Sequence, residues 1–386
     1  MTAYRFLSTA LLTAASAAFV LFPAQAKAGK VTVQPGESIQ AAIDSAAAGD
    51  TVLVIGSATP YSEATGAHGL VITKPLKLVG KKSGGLRPKI VAEAGQEDGI
   101  LAEGLVGAPI DGLMIKGFLI EGFPRHGIHL RYVNNFKILK NESANNLENG
   151  IFPTLSTKGK VIKNIAYGTL DAGLWVEAAY DVKVQKNILY NNPTGLEITI
   201  SDNVVAKGNE VYNNVVGIGM YHPNGASLPP DPVGVNWRIS KNHVYDNNFP
   251  NPADPSSLVG ALPTGGGILV LGVDTVMVDG NLVENNDYYG VALVDWCTAV
   301  AGTPNNCNDN PAVADQWVRN VTVKKNTFIN NGTNPTSHPL EAFASDIISL
   351  TGVAGANNCI DPNVYSTSSI FGGGVTNNLA GDNPCP

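Results

Sequence analysis

Positive charge is scarce in this sequence. The 386 residues include 25 Lys and Arg against 32 Asp and Glu, which gives a net charge of −7 and a pI near 5.4. Nucleic acids and anionic membranes are bound by basic surfaces that release counterions or meet lipid head groups. We therefore expect neither a nucleic acid nor a membrane surface as partner.

Long apolar runs are equally scarce beyond the N terminus. Arg5 precedes an apolar run from Phe6 to Phe22, and small residues follow at Ala24, Ala26 and Ala28. This order predicts a secretory signal peptide over residues 1–28, whereas a membrane anchor, the alternative, usually lacks the small-residue cleavage site. No later stretch is apolar enough to span a bilayer. We expect a secreted or periplasmic protein without a membrane span once the signal is removed.

Cysteine is rare, but its even number is informative. The sequence has 4 cysteines, and an even set in an exported chain favours two disulfides. Pairing Cys297 with Cys307 would close one loop, and pairing Cys359 with Cys385 would close the tail. The sequence also permits the two other connectivities, and the cysteines show no spacing typical of a zinc site.

Glycine and asparagine, in contrast, recur at regular intervals. A glycine, an apolar residue, any residue and a second apolar residue form a phrase that returns after 22 or 23 residues, with one interval of 50. An asparagine flanked by alternating apolar residues follows each glycine phrase. Short runs of alternating hydrophobicity separated by Gly and Asn are typical of strands and turns. The phrases begin at Gly127, Gly150, Gly173, Gly195, Gly217, Gly267 and Gly290, and the asparagines are Asn141, Asn164, Asn187, Asn209, Asn242, Asn281 and Asn326.

This period predicts an all-β fold, a single-stranded right-handed parallel β-helix over residues 29–330. Strands this short cannot bury a face alone, but stacked coils of about 22 residues share one interior and place the asparagines in a ladder. Propellers and leucine-rich repeats fit this period poorly. Irregular coils are expected from Leu70 to Phe123, and an irregular disulfide-bearing tail over residues 331–386.

The N terminus of the solenoid needs a cap because an open strand edge invites aggregation. Residues Ser38 to Asp44 predict a short amphipathic helix between strands Val31 to Val33 and Thr51 to Ile55. Three insertions enlarge the later coils, at Pro223 to Pro232, Phe249 to Thr264 and Cys297 to Gln316. Long loops on a rigid scaffold usually carry function. Two of these loops leave the same corner of neighbouring coils, so we expect them to form a wall beside the glycine-led strands.

The glycine phrases resemble those of secreted parallel β-helix repeat proteins, a group that includes polysaccharide lyases, epimerases and a periplasmic copper-maturation factor. The resemblance is strongest to a bacterial branch without a settled reaction. It implies the fold and leaves the activity open, because coil repeats are shared across many chemistries. The Asp-Pro-His signature of mannuronan epimerases is absent from the sequence. The phrases that carry the resemblance are Asn149-Gly150-Ile151-Phe152-Pro153, Asp171-Ala172-Gly173-Leu174-Trp175-Val176 and Thr194-Gly195-Leu196-Glu197-Ile198.

The residues two and four positions after each glycine are expected to point outward. They form two columns in which polar and aromatic side chains precede apolar ones. An open patch of aromatic and carboxylate groups is typical of a sugar-binding groove. We predict that Trp175, Phe152, Thr154 and Thr199 contact the substrate.

Glu177 and Glu197 form the sharpest catalytic pair in these columns. They lie on adjacent coils and are offset by two residues, so their backbones are expected about 8 Å apart. This matches the roughly 6.5–9.5 Å between the carboxyl groups of inverting glycosidases. The alternatives are two solvated acids, or an ion pair between Glu177 and Arg131.

A second set of residues fits lyase or epimerase chemistry. Arg131 would neutralise a uronic carboxylate while His129, Tyr221 or His222 removes the C5 proton. The alternative for each lone histidine is a surface or turn residue.

The sequence therefore predicts a carbohydrate-active protein that acts on an extended polysaccharide. Lyase or epimerase chemistry is preferred on fold analogy, and inverting hydrolysis rests on the two glutamates. A non-catalytic glycan-binding protein and a periplasmic scaffold or maturation factor remain open. No cofactor or metal is evident, although calcium bound through backbone and Asn oxygens would leave no sequence signature. We expect a monomer.

Overall fold

The computed structural model is a right-handed parallel β-helix, as predicted. Each coil passes through three parallel sheets, which contain 11, 12 and 10 strands. A further sheet has two short strands. The structure describes residues 28–63, 66–221, 233–301, 317–335, 343–351, 357–360, 363–365 and 375–377.

The 11-stranded sheet is formed by the strands of the glycine phrases. Its strands pair in register, so that residues 22 or 23 positions apart become neighbours. The strands are β3 (His68–Ile72), β6 (Asp98–Glu103), β10 (Ile128–Arg131), β14 (Ile151–Thr154), β17 (Ala172–Glu177), β20 (Thr194–Thr199), β23 (Val216–Tyr221), β26 (Gly266–Leu271), β29 (Tyr289–Val294), β32 (Ser345–Leu350) and β35 (Val375–Asn377).

The 12-stranded sheet contains the next strand of each coil. Its strands are β1 (Lys30–Val33), β2 (Thr51–Ile55), β4 (Lys77–Lys81), β8 (Met114–Lys116), β12 (Lys137–Leu139), β15 (Lys160–Ile162), β18 (Lys183–Gln185), β21 (Val205–Lys207), β24 (Trp237–Ser240), β27 (Val276–Asp279), β30 (Thr322–Lys324) and β33 (Cys359–Ile360).

The 10-stranded sheet completes the coil, and β7 (Ile110–Asp111) pairs with β11 (Val133–Asn134) beside it. The strands of the 10-stranded sheet are β5 (Lys89–Val91), β9 (Leu119–Glu121), β13 (Glu142–Ala144), β16 (Ile165–Tyr167), β19 (Ile188–Tyr190), β22 (Glu210–Tyr212), β25 (His243–Tyr245), β28 (Leu282–Glu284), β31 (Thr327–Ile329) and β34 (Val364–Tyr365).

The interior is one continuous apolar column. Ile128, Leu174, Leu196 and Ile268, which were predicted to stack, are fully buried in the core. The glycine of each phrase is required by a close backbone approach. A Cβ atom on Gly195 would lie 2.6 Å from the carbonyl oxygen of the next coil's glycine, so no larger residue fits there.

Two buried asparagine ladders run along the interior, and the predicted ladder is one of them. Asn187 Oδ1 accepts hydrogen bonds from both the backbone N–H and the side-chain amide of Asn164, at 2.9 and 3.0 Å. The Asn164 amide also donates to the carbonyl of Ile138, at 3.0 Å. A second ladder, five residues further along each coil, includes Asn192, Asn214, Asn247, Asn286 and Asn331.

The predicted N-terminal cap is confirmed. Helix α1 (Ile39–Ser45) lies between β1 and β2, and the Ser38 side chain accepts a hydrogen bond from the Ala41 N–H as its N-cap. Ile39 and Ile43 are buried against the first coil. The helix therefore closes the apolar interior at this end.

The regular coils extend further than predicted at both ends. Strands β3 to β9 continue the three sheets through the region expected to be irregular, because glycines at 69 and 99 take the same sheet positions. The sheets also continue past the predicted boundary at residue 330, since β32, β33, β34 and β35 lie in the predicted tail, although Asp346 stands there where the phrase has glycine. The second helix, α2 (Trp296–Ala301), lies within the third insertion.

Several predictions fall outside the described residues. They are the signal peptide, His222, the insertion at 223–232, and the side chains of Cys297, Cys307 and Cys385. The fourth cysteine, Cys359, begins β33 and is buried. The disulfide pairing stays a prediction. In the part of the chain that the structure describes, neither helix has the length and hydropathy needed to cross a bilayer.

Candidate active site on the outer face of the 11-stranded sheet

The two predicted outward columns lie on one face of the 11-stranded sheet, which we call the outer face. Trp175 pairs with Glu197, and Glu177 pairs with Thr199, on the adjacent strands β17 and β20. The columns are separate from the buried core, to which the intervening Leu174 and Val176 belong. The register on which the predicted site depends is therefore confirmed.

A stack of aromatic rings occupies the N-terminal half of the outer face. Phe152 stacks on His129 at 5.0 Å on one side and on Trp175 at 4.5 Å on the other. Because both of its ring faces are covered and the residue is buried, Phe152 cannot offer a surface to a pyranose ring. The prediction that Phe152 contacts substrate is wrong, and the half-buried Trp175 ends the stack.

Three carboxyl groups lie beside the free end of this stack. Glu197 is only 5 % exposed, its Oε2 has no hydrogen-bond partner, and burial together with Asp171 and Glu177 raises its pKa well above the usual range. Burial, with the Glu148 and Glu177 carboxylates, raises the pKa of Asp171 to about 6. Perturbed groups that cluster in this way are common at catalytic sites.

Glu177 has a more polar environment than Glu197. Burial raises its pKa, but the Thr154 hydroxyl, which donates to Glu177 Oε2 at 3.1 Å, and the nearby His129 favour the ionised form. Two carboxyl groups in such unequal surroundings divide into a proton donor and a proton acceptor. The structure therefore brings together the predicted glutamates and distinguishes them.

Thr154 and Thr199 position other side chains instead of lining an open groove. Both threonines are buried. Thr199 Oγ1 accepts a hydrogen bond from the Trp175 indole N–H at 2.8 Å, and Thr154 holds Glu177. These contacts give both threonines a positioning role, and their direct contact with substrate stays a prediction.

Histidines gather at the N-terminal end of the outer face. His129 Nδ1 lies 3.3 Å from Asp98 Oδ2, and His126 packs edge-on against His129 with ring centroids 4.7 Å apart. Burial, with the neighbouring His129, lowers the pKa of His126 to about 3. Arg131 pairs with Glu103 at 3.2 Å instead of with Glu177.

The C-terminal half of the outer face is apolar and covered. Leu269, Leu271, Ala292 and Val294 pack into a cluster separate from the core. Loop 249–264 lies over them and leaves an apolar cavity of about 350 Å³. One of the three insertions therefore covers this part of the outer face, whereas the other two lie wholly or largely outside the described residues.

Tyr221 belongs to this apolar cluster and not to an open groove. It is 1 % exposed, its hydroxyl has no partner, and its ring occupies the space that a side chain at Gly219 would need. Burial and the neighbouring Glu197 raise its pKa well above the ordinary value. Removal of a substrate proton by Tyr221 stays a prediction, and the burial of its phenol disfavours that role.

Sequence reasoning missed Asp98, His126 and Asp171. Asp98 and His126 stand immediately before a glycine, a position that strict alternation points inward. At each phrase, however, the glycine and the next residue both face the interior, as Gly195 and Leu196 do. The residue before the glycine consequently faces outward, and polar residues at that position were the signal that could have identified this third column.

The fold and this face define the class of protein as a right-handed parallel β-helix. The family described as periplasmic copper-binding protein (NosD) matches residues 88–256, which is less than half of the chain. A search of curated proteins gave no match.

Solved structures with the same fold include two epimerases and a tailspike protein. The Azotobacter vinelandii mannuronan C-5 epimerase AlgE4 A-module has a TM-score of 0.61 at 15 % identity, covering 90 % of this chain and 95 % of its own. The Dettilon tailspike protein gp208 has a TM-score of 0.53 at 15 % identity, covering 90 % and 60 %. The periplasmic alginate epimerase AlgG has a TM-score of 0.50 at 14 % identity, covering 79 % and 70 %. At these identities the likeness establishes the fold alone.

Proposed function

We propose that this protein is an exported enzyme that binds an extended polysaccharide across its outer face and hydrolyses a glycosidic bond beside Trp175. One observation carries the proposal: Glu197 and Glu177 lie on adjacent strands, two positions apart, in unequal environments next to an aromatic ring. Export is supported by the signal peptide predicted from the sequence and by the periplasmic description of the NosD family.

The two glutamates have complementary roles in this reaction. Protonated Glu197 donates its proton to the glycosidic oxygen as the bond from that oxygen to the anomeric carbon breaks. Ionised Glu177 takes a proton from water while the water oxygen bonds to the anomeric carbon from the opposite side. The offset of two residues on adjacent strands corresponds to about 8 Å between backbones, which suits an inverting enzyme.

The charge of the site favours a neutral polysaccharide. Within the described ranges, Asp171, Glu177 and Glu197 form no ion pair, and the ionised carboxylates of Asp171 and Glu177 would repel the carboxylate of a uronic acid. Asp171 shares the cluster and raises the proton affinity of Glu197. We assign Asp171 the positioning of that proton rather than contact with the reacting bond.

The test is hydrolysis of a panel of neutral and uronic polysaccharides, followed by reducing-end release and by the anomeric configuration of the first product. We expect inversion, and a loss of at least about 100-fold in rate for Glu197→Gln and for Glu177→Gln. Glu142→Gln is the matched control, because Glu142 also accepts a hydrogen bond on an outward face, from Tyr167 at 3.3 Å. Full activity in both glutamate variants would rule out the assignment.

A second candidate, lyase or epimerase chemistry, rests on the contact between His129 and Asp98. The Asp98 carboxylate orients His129 through Nδ1, and Arg131 lies two residues further along the same strand. In this reaction Arg131 stabilises the uronate carboxylate while His129 removes the C5 proton. Arg131 already pairs with Glu103, which weakens it for this role.

The same panel separates the remaining functions. Unsaturated ends that absorb at 235 nm and disappear in His129→Ala would favour a lyase, and a changed uronate configuration without cleavage would favour an epimerase. Glycan binding without any reaction would leave a non-catalytic binding protein. Failure to bind any glycan would favour the periplasmic scaffold or maturation factor.

A further inference from the structure

The N-terminal end of the outer face contains a compact cluster of metal-ligating groups, Asp98, His126 and His129. One ligating atom from each residue lies within 4.8 Å of the other two. We propose that these three residues bind a divalent late first-row transition metal ion such as Zn²⁺ or Cu²⁺. This proposal is independent of the hydrolase assignment, which depends on Glu177 and Glu197.

The carboxylate of Asp98 is the centre of the cluster. The residue is 1 % exposed, and it accepts a hydrogen bond from the His126 backbone N–H at 3.2 Å. The ring nitrogen Nδ1 of His129 lies 3.3 Å from Asp98 Oδ2, and Nδ1 of His68 lies 3.2 Å from the same oxygen. A buried carboxylate surrounded by imidazoles is a preformed anionic ligand.

Two ring nitrogens in the cluster have no partner. His126 is fully buried and His129 is 9 % exposed, yet Nε2 of each ring lacks a hydrogen bond. A buried polar atom left in this state destabilises the folded protein, so such atoms need an explanation. A bound metal ion removes that cost, because a ring nitrogen is a preferred ligand of these metals.

The surroundings also favour a cation. Glu148 Oε2 lies 3.7 Å from His126 Nε2, beyond hydrogen-bond reach. Its carboxylate is close enough to attract a cation bound at that nitrogen. The amide nitrogen of Asn149 lies 3.4 Å from His126 Nδ1, so Nε2 is the ring nitrogen that is left without a hydrogen bond and available to a metal ion. Asn149 is itself fixed, because its Oδ1 accepts from the Ala172 N–H at 3.0 Å.

The ligand set selects the class of metal. Two imidazoles and one carboxylate suit Zn²⁺ or Cu²⁺, whereas Ca²⁺ and Mg²⁺ prefer oxygen ligands. Ligand atoms around a tetrahedral Zn²⁺ with bonds of about 2.0–2.1 Å are roughly 3.4 Å apart. One ligating atom from each of the three residues lies within 4.8 Å of the others, so a modest inward movement of the side chains would reach this spacing. Three protein ligands would leave one position open for water or a substrate oxygen.

The test is metal binding by the full, tag-free chain after treatment with a chelator. Titration calorimetry with Zn²⁺, Cu²⁺ and Ca²⁺ should show one site for the transition metals and none of comparable affinity for Ca²⁺. Zn²⁺ should also raise the melting temperature, since an ion that binds only the folded state stabilises it. Visible absorption of the Co²⁺ form reports the coordination geometry.

Substitutions locate the site. Asp98→Asn, His126→Ala and His129→Ala should each weaken Zn²⁺ binding at least about 10-fold, and the melting temperature without metal verifies that each variant is folded. His243→Ala is the matched control, because His243 contacts Glu284 at 2.7 Å on the 10-stranded sheet. Glu197→Gln should bind Zn²⁺ like the unmodified chain.

Binding that survives in Asp98→Asn and His129→Ala, or that is lost equally in His243→Ala, would overturn the proposal. An unchanged melting temperature in the presence of Zn²⁺ or Cu²⁺ would also overturn the proposal. No polysaccharide enters these measurements. Metal binding can therefore be absent from a protein that hydrolyses a polysaccharide, and it can be present in a protein that does not.

Discussion

The two halves of the outer face share one backbone and differ in nearly every other respect. From Asp98 to Thr199 the face presents histidines, stacked rings and carboxyl groups. From Tyr221 to Leu350 it presents an apolar cluster under loop 249–264. The comparison teaches that the coil fixes where a side chain points, whereas the residue at each outward position decides between a reactive surface and a packing surface.

The largest expected effect is on the free energy of unfolding, when a polar residue is placed in the apolar half of the outer face and an apolar residue in the polar half. Leu271, 4 % exposed in the apolar cluster, and Glu177 both stand four residues after a glycine. We expect Leu271→Asp to lower the free energy of unfolding by at least about 3 kcal/mol, because it buries an unpaired charge. Glu177→Leu should change it by no more than about 1 kcal/mol. Denaturant unfolding measures both, and equal losses would contradict the distinction.

The next effect is the dependence of stability on pH in the polar half. Burial raises the pKa of Asp171 to about 6 in the folded protein, against 3.8 as the ordinary value. The folded state therefore binds the proton more tightly than the unfolded state. As pH rises from about 4 to about 6, the unmodified protein should lose stability relative to Asp171→Asn.

This loss has an upper bound of about 3 kcal/mol, because one pKa unit corresponds to about 1.36 kcal/mol. Denaturant titrations at several pH values, for both proteins, measure the difference. A difference that stays constant from pH 4 to pH 7 would show that the Asp171 carboxyl is not perturbed by folding.

A smaller effect concerns glycan affinity. Trp175→Ala should weaken binding of an oligosaccharide about 10-fold or more, because the ring supplies apolar contact to a sugar face. Tyr190→Ala is the matched control, since Tyr190 is stacked between Tyr167 and Tyr212 at 4.7 and 5.1 Å on the 10-stranded sheet. Calorimetry measures both, and an equal loss in the two variants would place the glycan elsewhere.

The smallest effect is expected for Thr199→Val. The change removes the acceptor of the Trp175 indole N–H at nearly constant volume, and one such hydrogen bond contributes about 1 kcal/mol. Glycan affinity should fall about 2- to 5-fold, with a change in Trp175 fluorescence. Unchanged affinity and fluorescence would mean that Thr199 does not fix the indole.

The fold could be predicted from the sequence because most coils repeat the same pattern of glycine, apolar and asparagine residues. The glycines mark where the backbones of successive coils approach most closely, and the asparagines mark the interior turn, so both recur in register. Both ends were harder to predict. The last coils, such as that of β32, keep the strand while Asp346 replaces the glycine, so the phrase no longer reveals them.

The site could be predicted only in part. Pairing of strands placed Glu177, Glu197 and Trp175 together, because register follows directly from the period. Burial could not be read in the same way. Tyr221 folds back over Gly219, and Phe152 is covered by rings from both neighbouring coils. These contacts depend on side-chain direction and on neighbours 22 or more residues away.

The asparagine ladders have a consequence for how this protein can change in evolution. Each buried amide needs the next coil to complete its hydrogen bonds. A deletion that removes part of a coil leaves several of these amides without partners. Removal of a whole coil, in contrast, lets both asparagine ladders continue without a break. The binding face can therefore lengthen or shorten only in increments of one strand spacing, about 4.8 Å. In a family built on this scaffold, the number of coils would set the length of polymer that the face can bind.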